Sequence, residues 1–200
     1  MKPTLDPLVF FQREYEEVTS ALPFSAASIN EAEAWQKKAR AHLQKLLGDL
    51  PRISGPVASR VLEERRFPGY TRTRLELELR PGLLAIAYYL LPDNRPKKGP
   101  AVLVLPGHCG SVDILVGGPN GDDRQLSDYA LQCVLAGLPT LALEQIAFGY
   151  RRHQAAIDES PDGGTACNIP TGAALMLGRT LVGYRVAGCS EGARLAFCST

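Results

Sequence analysis

Ala101-Val102-Leu103-Val104-Leu105 runs without a polar residue into Pro106-Gly107-His108-Cys109-Gly110. An unbroken apolar run that ends in a glycine-bearing loop describes a strand covered on both faces and left through a tight exit. A second run of this kind, Leu138 to Leu143, follows the stretch Asp123 to Ala136. There Leu126, Tyr129, Ala130, Cys133 and Val134 recur at helical spacing and Gly137 closes the segment. Strand, helix and strand in that order predict an α/β fold with a mostly parallel sheet.

Upstream the period changes to two. Arg72, Arg74, Glu76 and Glu78 alternate with Thr73, Leu75, Leu77 and Leu79, and Pro81-Gly82 turns the chain into Leu83 to Leu91, which predicts an antiparallel hairpin. Before it lies a helical leader. Ser28-Ile29-Asn30-Glu31 has capping-box spacing, and Trp35, Ala39, Leu43, Leu46, Leu47 and Leu50 form an apolar stripe ending near Gly48 and Pro51. Leu8 to Ala21 is a second, weaker helical stretch stopped by Pro23. Thr171 to about Val186 reads as one helix, its Gly178 and Gly183 suited to close packing on a sheet. The expected division is a helical N-terminal extension over 1–56 and an α/β domain over 57–200.

Composition narrows the function. Of 200 residues, 45% are hydrophobic and 22% charged, enough for one globular domain with a sizeable core. A net charge of +1 without a basic stripe argues against nucleic acid as a partner. No apolar stretch is long enough for a membrane span and the N-terminus lacks a signal-type apolar region, so the expectation is a cytoplasmic chain that does not bind membrane. Cys109, Cys133, Cys167, Cys189 and Cys198 are scattered and include no CxxC pair, so neither a disulfide framework nor a metal is expected, and no G-x-G-x-x-G follows a strand. No cofactor is expected.

From Leu83 to Pro92, through 101–110 and Leu141-Ala-Leu-Glu-Gln-Ile-Ala-Phe-Gly149, to Leu177-Gly-Arg-Thr-Leu-Val-Gly-Tyr-Arg-Val186, the order of parts resembles the α/β-hydrolase superfamily in its acetyl xylan esterase and dienelactone hydrolase-like branch. The likeness covers roughly residues 57 to 186. It implies hydrolysis of a small-molecule ester, an acetyl or other small acyl ester, by a serine nucleophile. It also implies an oxyanion hole built from the backbone N–H groups of His108 or Cys109 and of Glu191. The family usually has His-Gly where this chain has Pro106-Gly107; the donor is a main-chain group, so the chemistry tolerates the change.

Gly188-Cys189-Ser190-Glu191-Gly192 matches the G-x-S-x-G nucleophile elbow, which makes Ser190 the candidate catalytic residue. A serine hydroxyl needs a histidine to take its proton and a carboxylate to orient that histidine. In the resembling fold both follow the nucleophile, yet His42, His108 and His153 all precede Ser190. Either Leu181 to Ala187 is the strand that enters an elbow, or the match is accidental. The likeness stops near Val186, which leads to the expectation of a chain incomplete at its C-terminus, truncated or frame-shifted there, with an exposed sheet edge that favours self-association. The alternative is a non-catalytic hydrolase-like scaffold or interaction domain. Other residues weighed are His153 at a cleft border, Cys109 as a nucleophile, Asp122-Asp123 as metal ligands and Glu144 at a strand end. For each, an ordinary loop or capping role is the simpler reading.

Overall fold

The computed structural model describes residues 3–50, 55–95, 99–108, 110–118, 127–160 and 166–198, with side chains to 194. The chain divides into two compact units, Met1–Lys45 and Leu46–Thr200.

In the first unit α1 (Pro7–Glu17) begins at Asp6, whose carboxylate accepts from Leu8 N–H at 2.9 Å, with Pro7 at the first helical position. The capping-box spacing sets the start of α2 (Ile29–Leu47): Glu31 N–H donates to Ser28 Oγ, and the Glu31 carboxylate turns back to accept from Ala27 N–H at 2.8 Å. Trp35 packs edge-on against Phe24 and donates its indole N–H to Leu22 O.

The second unit is built on a five-stranded sheet in the order β1-β2-β3-β5-β4, from β1 (Ala58–Phe67), β2 (Tyr70–Arg80), β3 (Leu83–Pro92), β4 (Val102–Val104) and β5 (Thr140–Leu143). The hairpin is β2 and β3. β1 extends it by a third antiparallel strand, and β3 also pairs antiparallel with β5. Among the described residues the parallel pairing is confined to β4 and β5, joined through α3 (Tyr129–Leu135). The α/β class therefore holds, while the mostly parallel sheet is corrected to a mixed one: the long strands of the hairpin supply most of the ladder and the central parallel strands are short.

Two apolar layers cover the sheet. On one face Tyr88, Leu90 and Ala142 pack with Ala130, Leu131 and Val134 of α3 and with Val112, Leu115 and Val116 of a 3-10 turn (Val112–Val116). On the other, Leu75, Leu77, Leu79, Ala85, Ala87, Leu141 and Leu143 form a second cluster, approached by α6 (Leu181–Cys198). Fully burying one such leucine stabilises by about 1.5–3 kcal/mol.

The expected helix over Thr171–Val186 is two helices. α5 (Asn168–Met176) stops at Gly178, whose φ of 66° lies in the left-handed region, and Arg179 N–H closes the end on Ala174 O at 2.9 Å. Thr180 then caps α6, its Oγ1 accepting from Gly183 N–H. α6 runs unbroken through the G-x-S-x-G match. Residues 181–187 are helix, so the strand that an elbow requires is not formed there.

Candidate functional site

The polar side chains converge where β4 and β5 end. Beyond β4 a tight turn, closed by Gly110 N–H on Gly107 O at 3.0 Å, carries His108 exposed at its tip. Beyond β5 the chain makes a compact loop over 144–152. Ala147 has a positive φ of 68°, unusual for a residue with a Cβ, and the loop is held by Ala147 N–H on Arg151 O and Arg151 N–H on Phe148 O. A short 3-10 turn (Gly149–Arg151) leads into α4 (Gln154–Glu159).

Glu144 ties these two loops together. Its carboxylate is fully buried and accepts from Val112 N–H at 2.9 Å and Tyr150 N–H at 3.2 Å. Burial pushes its titration up to about 7, against the two peptide donors, which favour the charged form; nearby Asp113 adds to the rise and Arg151 opposes it. Burial likewise lowers Arg151 to about 10, opposed by Glu144, and Arg151 also bonds the Glu144 carbonyl.

Beside Glu144 stands Asp113, which accepts from Tyr88 Oη at 2.7 Å, Tyr150 Oη at 2.6 Å and Ser111 Oγ at 2.9 Å. Burial first, then the bond to Asp113, raises both tyrosines, Tyr150 to about 12. Arg72 is buried between the rings of Phe67 and Tyr88 and donates to Val116 O and Gly118 O. This network fastens the segment after β4 to the hairpin.

A second cluster faces the same strand ends from α5 and α6. Cys167 Sγ lies 3.1 Å from an Arg185 guanidinium nitrogen and 3.7 Å from His108 Nε2. Phe148 touches both partners: the His108 ring meets it edge-on at 5.4 Å, and Arg185 lies over its face at 4.3 Å. Arg185 is anchored further on Ile146 O.

The residues expected to carry catalysis are not brought together. Ser190 is exposed in the interior of α6 and its hydroxyl donates to Val186 O at 3.0 Å. Glu191, next to it, is buried and pairs with Arg194. Its peptide N–H lies within the helix, where such groups bond the carbonyl four residues back, so it is not aimed at an oxyanion. His108 stands exposed at the β4 exit. Cys109 and Asp122-Asp123 lie outside the described residues. His153 caps α4, its Nδ1 accepting from Ala156 N–H. Among the described residues there is no group of three or more potential metal ligands, and no helix is long and apolar enough to cross a membrane.

Sequence reasoning missed the Tyr88–Asp113–Tyr150 network and the Cys167–His108–Arg185 cluster. One signal was available for the first: Tyr88 sits in the apolar run of β3, and a tyrosine placed there needs an acceptor for its hydroxyl.

The model of the abhydrolase family matches residues 10–186. In fold the chain is similar to the crystal structure of a candidate acetyl xylan esterase from Bacteroides fragilis, with a TM-score of 0.81 and 22% identity over 96% of this chain and 50% of that one. It thus spans about half the length of that structure. A glucuronoyl esterase from Solibacter usitatus is similar at TM-score 0.40 and 15% identity, over 62% of this chain and 42% of its own. No curated protein matches.

Proposed function

The chain belongs to the abhydrolase family, and from that premise we propose that the protein hydrolyses a carboxylic ester bearing an acetyl or other small acyl group. The observation that carries this reading is the turn leaving β4. It presents the His108 peptide at the carboxyl end of the parallel pair, where α/β sheets hold their ligands, and Glu144 clamps the following segment to the loop after β5. In the proposed chemistry a serine attacks the acyl carbonyl, and the main-chain N–H of His108, with Cys109 next to it, stabilises the developing oxyanion. Ser190 is not the acylated residue in this proposal, because its hydroxyl is held on a helix carbonyl. The activity is proposed of the whole protein, since the chain covers half of the Bacteroides fold.

The helical setting of Ser190 and Glu191 also favours a second reading, a hydrolase-like scaffold without catalysis of its own. Hydrolysis of p-nitrophenyl acetate by the intact gene product decides between them. Turnover is expected, unchanged within about twofold in Ser190→Ala and in His108→Ala, but about 10²–10³-fold slower in His108→Pro, which removes the peptide donor. Collapse of the rate in Ser190→Ala overturns the placement of the nucleophile, and absence of turnover selects the scaffold. We propose separately that the 200-residue chain self-associates through the β4 edge, where Val102, Leu103 and Val104 are half-buried. Sedimentation as a dimer or larger is expected, and a monomer contradicts it.

A further inference from the structure

We propose that Cys167 is a reactive thiol, a modification site for hydroperoxides and other soft electrophiles, assembled by Arg185, His108 and Phe148.

Three cysteines with described side chains differ in their surroundings. Among the described residues no cation or imidazole bonds Cys133 on α3, and Cys189 Sγ accepts from a neutral amide, Gln145 Nε2 at 3.4 Å. Cys167 is half-buried like both of them, but it meets a guanidinium at 3.1 Å and an imidazole nitrogen at 3.7 Å, and it stands at the N-cap of α5. The thiolate is the nucleophile, and an adjacent cation and a helix N-terminus favour it over the thiol. Among the described residues no carboxylate pairs with Arg185, so its charge is not cancelled beside the sulfur. The geometry is fixed in advance. One aromatic ring holds both the guanidinium and the imidazole, and Ile146 O anchors the guanidinium again. His108 itself is exposed, so a small reagent reaches the cluster from solvent.

The chemistry balances without a bound cofactor. With Nε2 unprotonated, the imidazole takes the Cys167 proton. The thiolate attacks one oxygen of the hydroperoxide, an S–O bond forms and the O–O bond breaks. The departing hydroxide or alkoxide recovers the proton from His108 as water or alcohol. Sulfur loses two electrons to the peroxide and ends as a sulfenic acid, the reversible first step of thiol oxidation. This inference is independent of the ester-hydrolase proposal, because it concerns a side-chain cluster and needs no acyl substrate.

The test is iodoacetamide alkylation of the folded chain at pH 7, followed peptide by peptide by mass spectrometry, with a parallel reaction of one equivalent of hydrogen peroxide trapped by dimedone. Cys167 is expected to alkylate about tenfold faster than Cys189, and to carry the dimedone adduct first. Arg185→Gln is expected to lower the Cys167 rate about tenfold while Arg185→Lys, which keeps the charge, retains most of it. Circular dichroism of both variants shows whether the fold is kept, and the Cys189 rate serves as an internal reference if it loosens. A Cys167 rate no greater than that of Cys189, or one unmoved by Arg185→Gln in a folded variant, overturns the proposal.

Discussion

Glu144 and Gly149 meet across the loop that leaves β5 so closely that a Cβ on Gly149 would overlap the Glu144 carboxylate, while the Gly149 φ of 45° lies in the left-handed region. Two penalties therefore act on Gly149→Ala. Overpacking costs about 1–3 kcal/mol and the strained φ about 1 kcal/mol more, so a loss of about 2–4 kcal/mol is expected by urea unfolding. Gly137→Ala isolates the second penalty, because Gly137 has a φ of 84° but open space around it. A loss near 1 kcal/mol is expected there, and equal losses at the two sites would show that the carboxylate is not crowded.

The raised titration of Glu144 predicts how stability depends on pH. Below pH about 4.5 the carboxyl is protonated in both the folded and unfolded chain. From there to about pH 7 the unfolded chain ionises while the folded one keeps its proton, so stability falls as pH rises, and above 7 this contribution levels off. The drop amounts to roughly 3 kcal/mol. In Glu144→Gln this contribution to the slope is expected to vanish, at an overall cost of about 1–3 kcal/mol for setting an amide against two peptide donors. Unfolding free energies measured at half-unit steps from pH 4 to 8 check it; parallel curves for the two proteins would place the titration elsewhere.

Asp113 gathers two tyrosines of unequal exposure. Tyr88 is buried, whereas Tyr150 is half exposed, so water replaces only the second hydroxyl when it is removed. Tyr88→Phe is expected to cost about 1.5–3 kcal/mol, the range for a hydrogen bond to a charged acceptor, and Tyr150→Phe less than about 1 kcal/mol. Thermal unfolding at pH 8 distinguishes them. Tyr150→Phe costing as much as Tyr88→Phe would mean that the outer hydroxyl is not solvent-replaceable.

Much of the fold was legible because it is local. Period-two alternation and Pro81-Gly82 mark β2 and β3, and Ser28 with Glu31 marks the start of α2. The faces were less so. Alternation groups Arg72 with the polar Arg74, Glu76 and Glu78, yet it is buried between Phe67 and Tyr88, because β2 is covered on opposite faces along its two halves and a single-strand pattern does not reveal the switch. Gly178 was visible as a glycine, but its left-handed φ, which splits the expected helix, depends on the closing bond from Arg179 to Ala174. The Cys167 and Asp113 clusters were illegible for another reason: Cys167 lies 18 and 59 residues from its partners Arg185 and His108, and Asp113 lies 37 from Tyr150, and only the folded chain brings them together.

The G-x-S-x-G match has its own physical reading in α6. Gly188 and Gly192 are four residues apart and so share one helix face, and that face packs on the sheet: a Cβ on Gly188 would sit 3.5 Å from Leu79 Cδ1, and one on Gly192 2.7 Å from Leu143 Cδ2. The two alanine substitutions are expected to have different effects. Gly188→Ala meets an ordinary contact and gains helix propensity, a stabilisation of up to about 1 kcal/mol. Gly192→Ala gains the same propensity but must displace the side chain of fully buried Leu143, at about 1–3 kcal/mol, and so comes out neutral to destabilising by about 2 kcal/mol. An elbow at Ser190 would need both glycines for backbone clearance and would make both substitutions damaging. Urea midpoints of the two variants therefore separate helix packing from a nucleophile turn, and a destabilised Gly188→Ala would count against the helix.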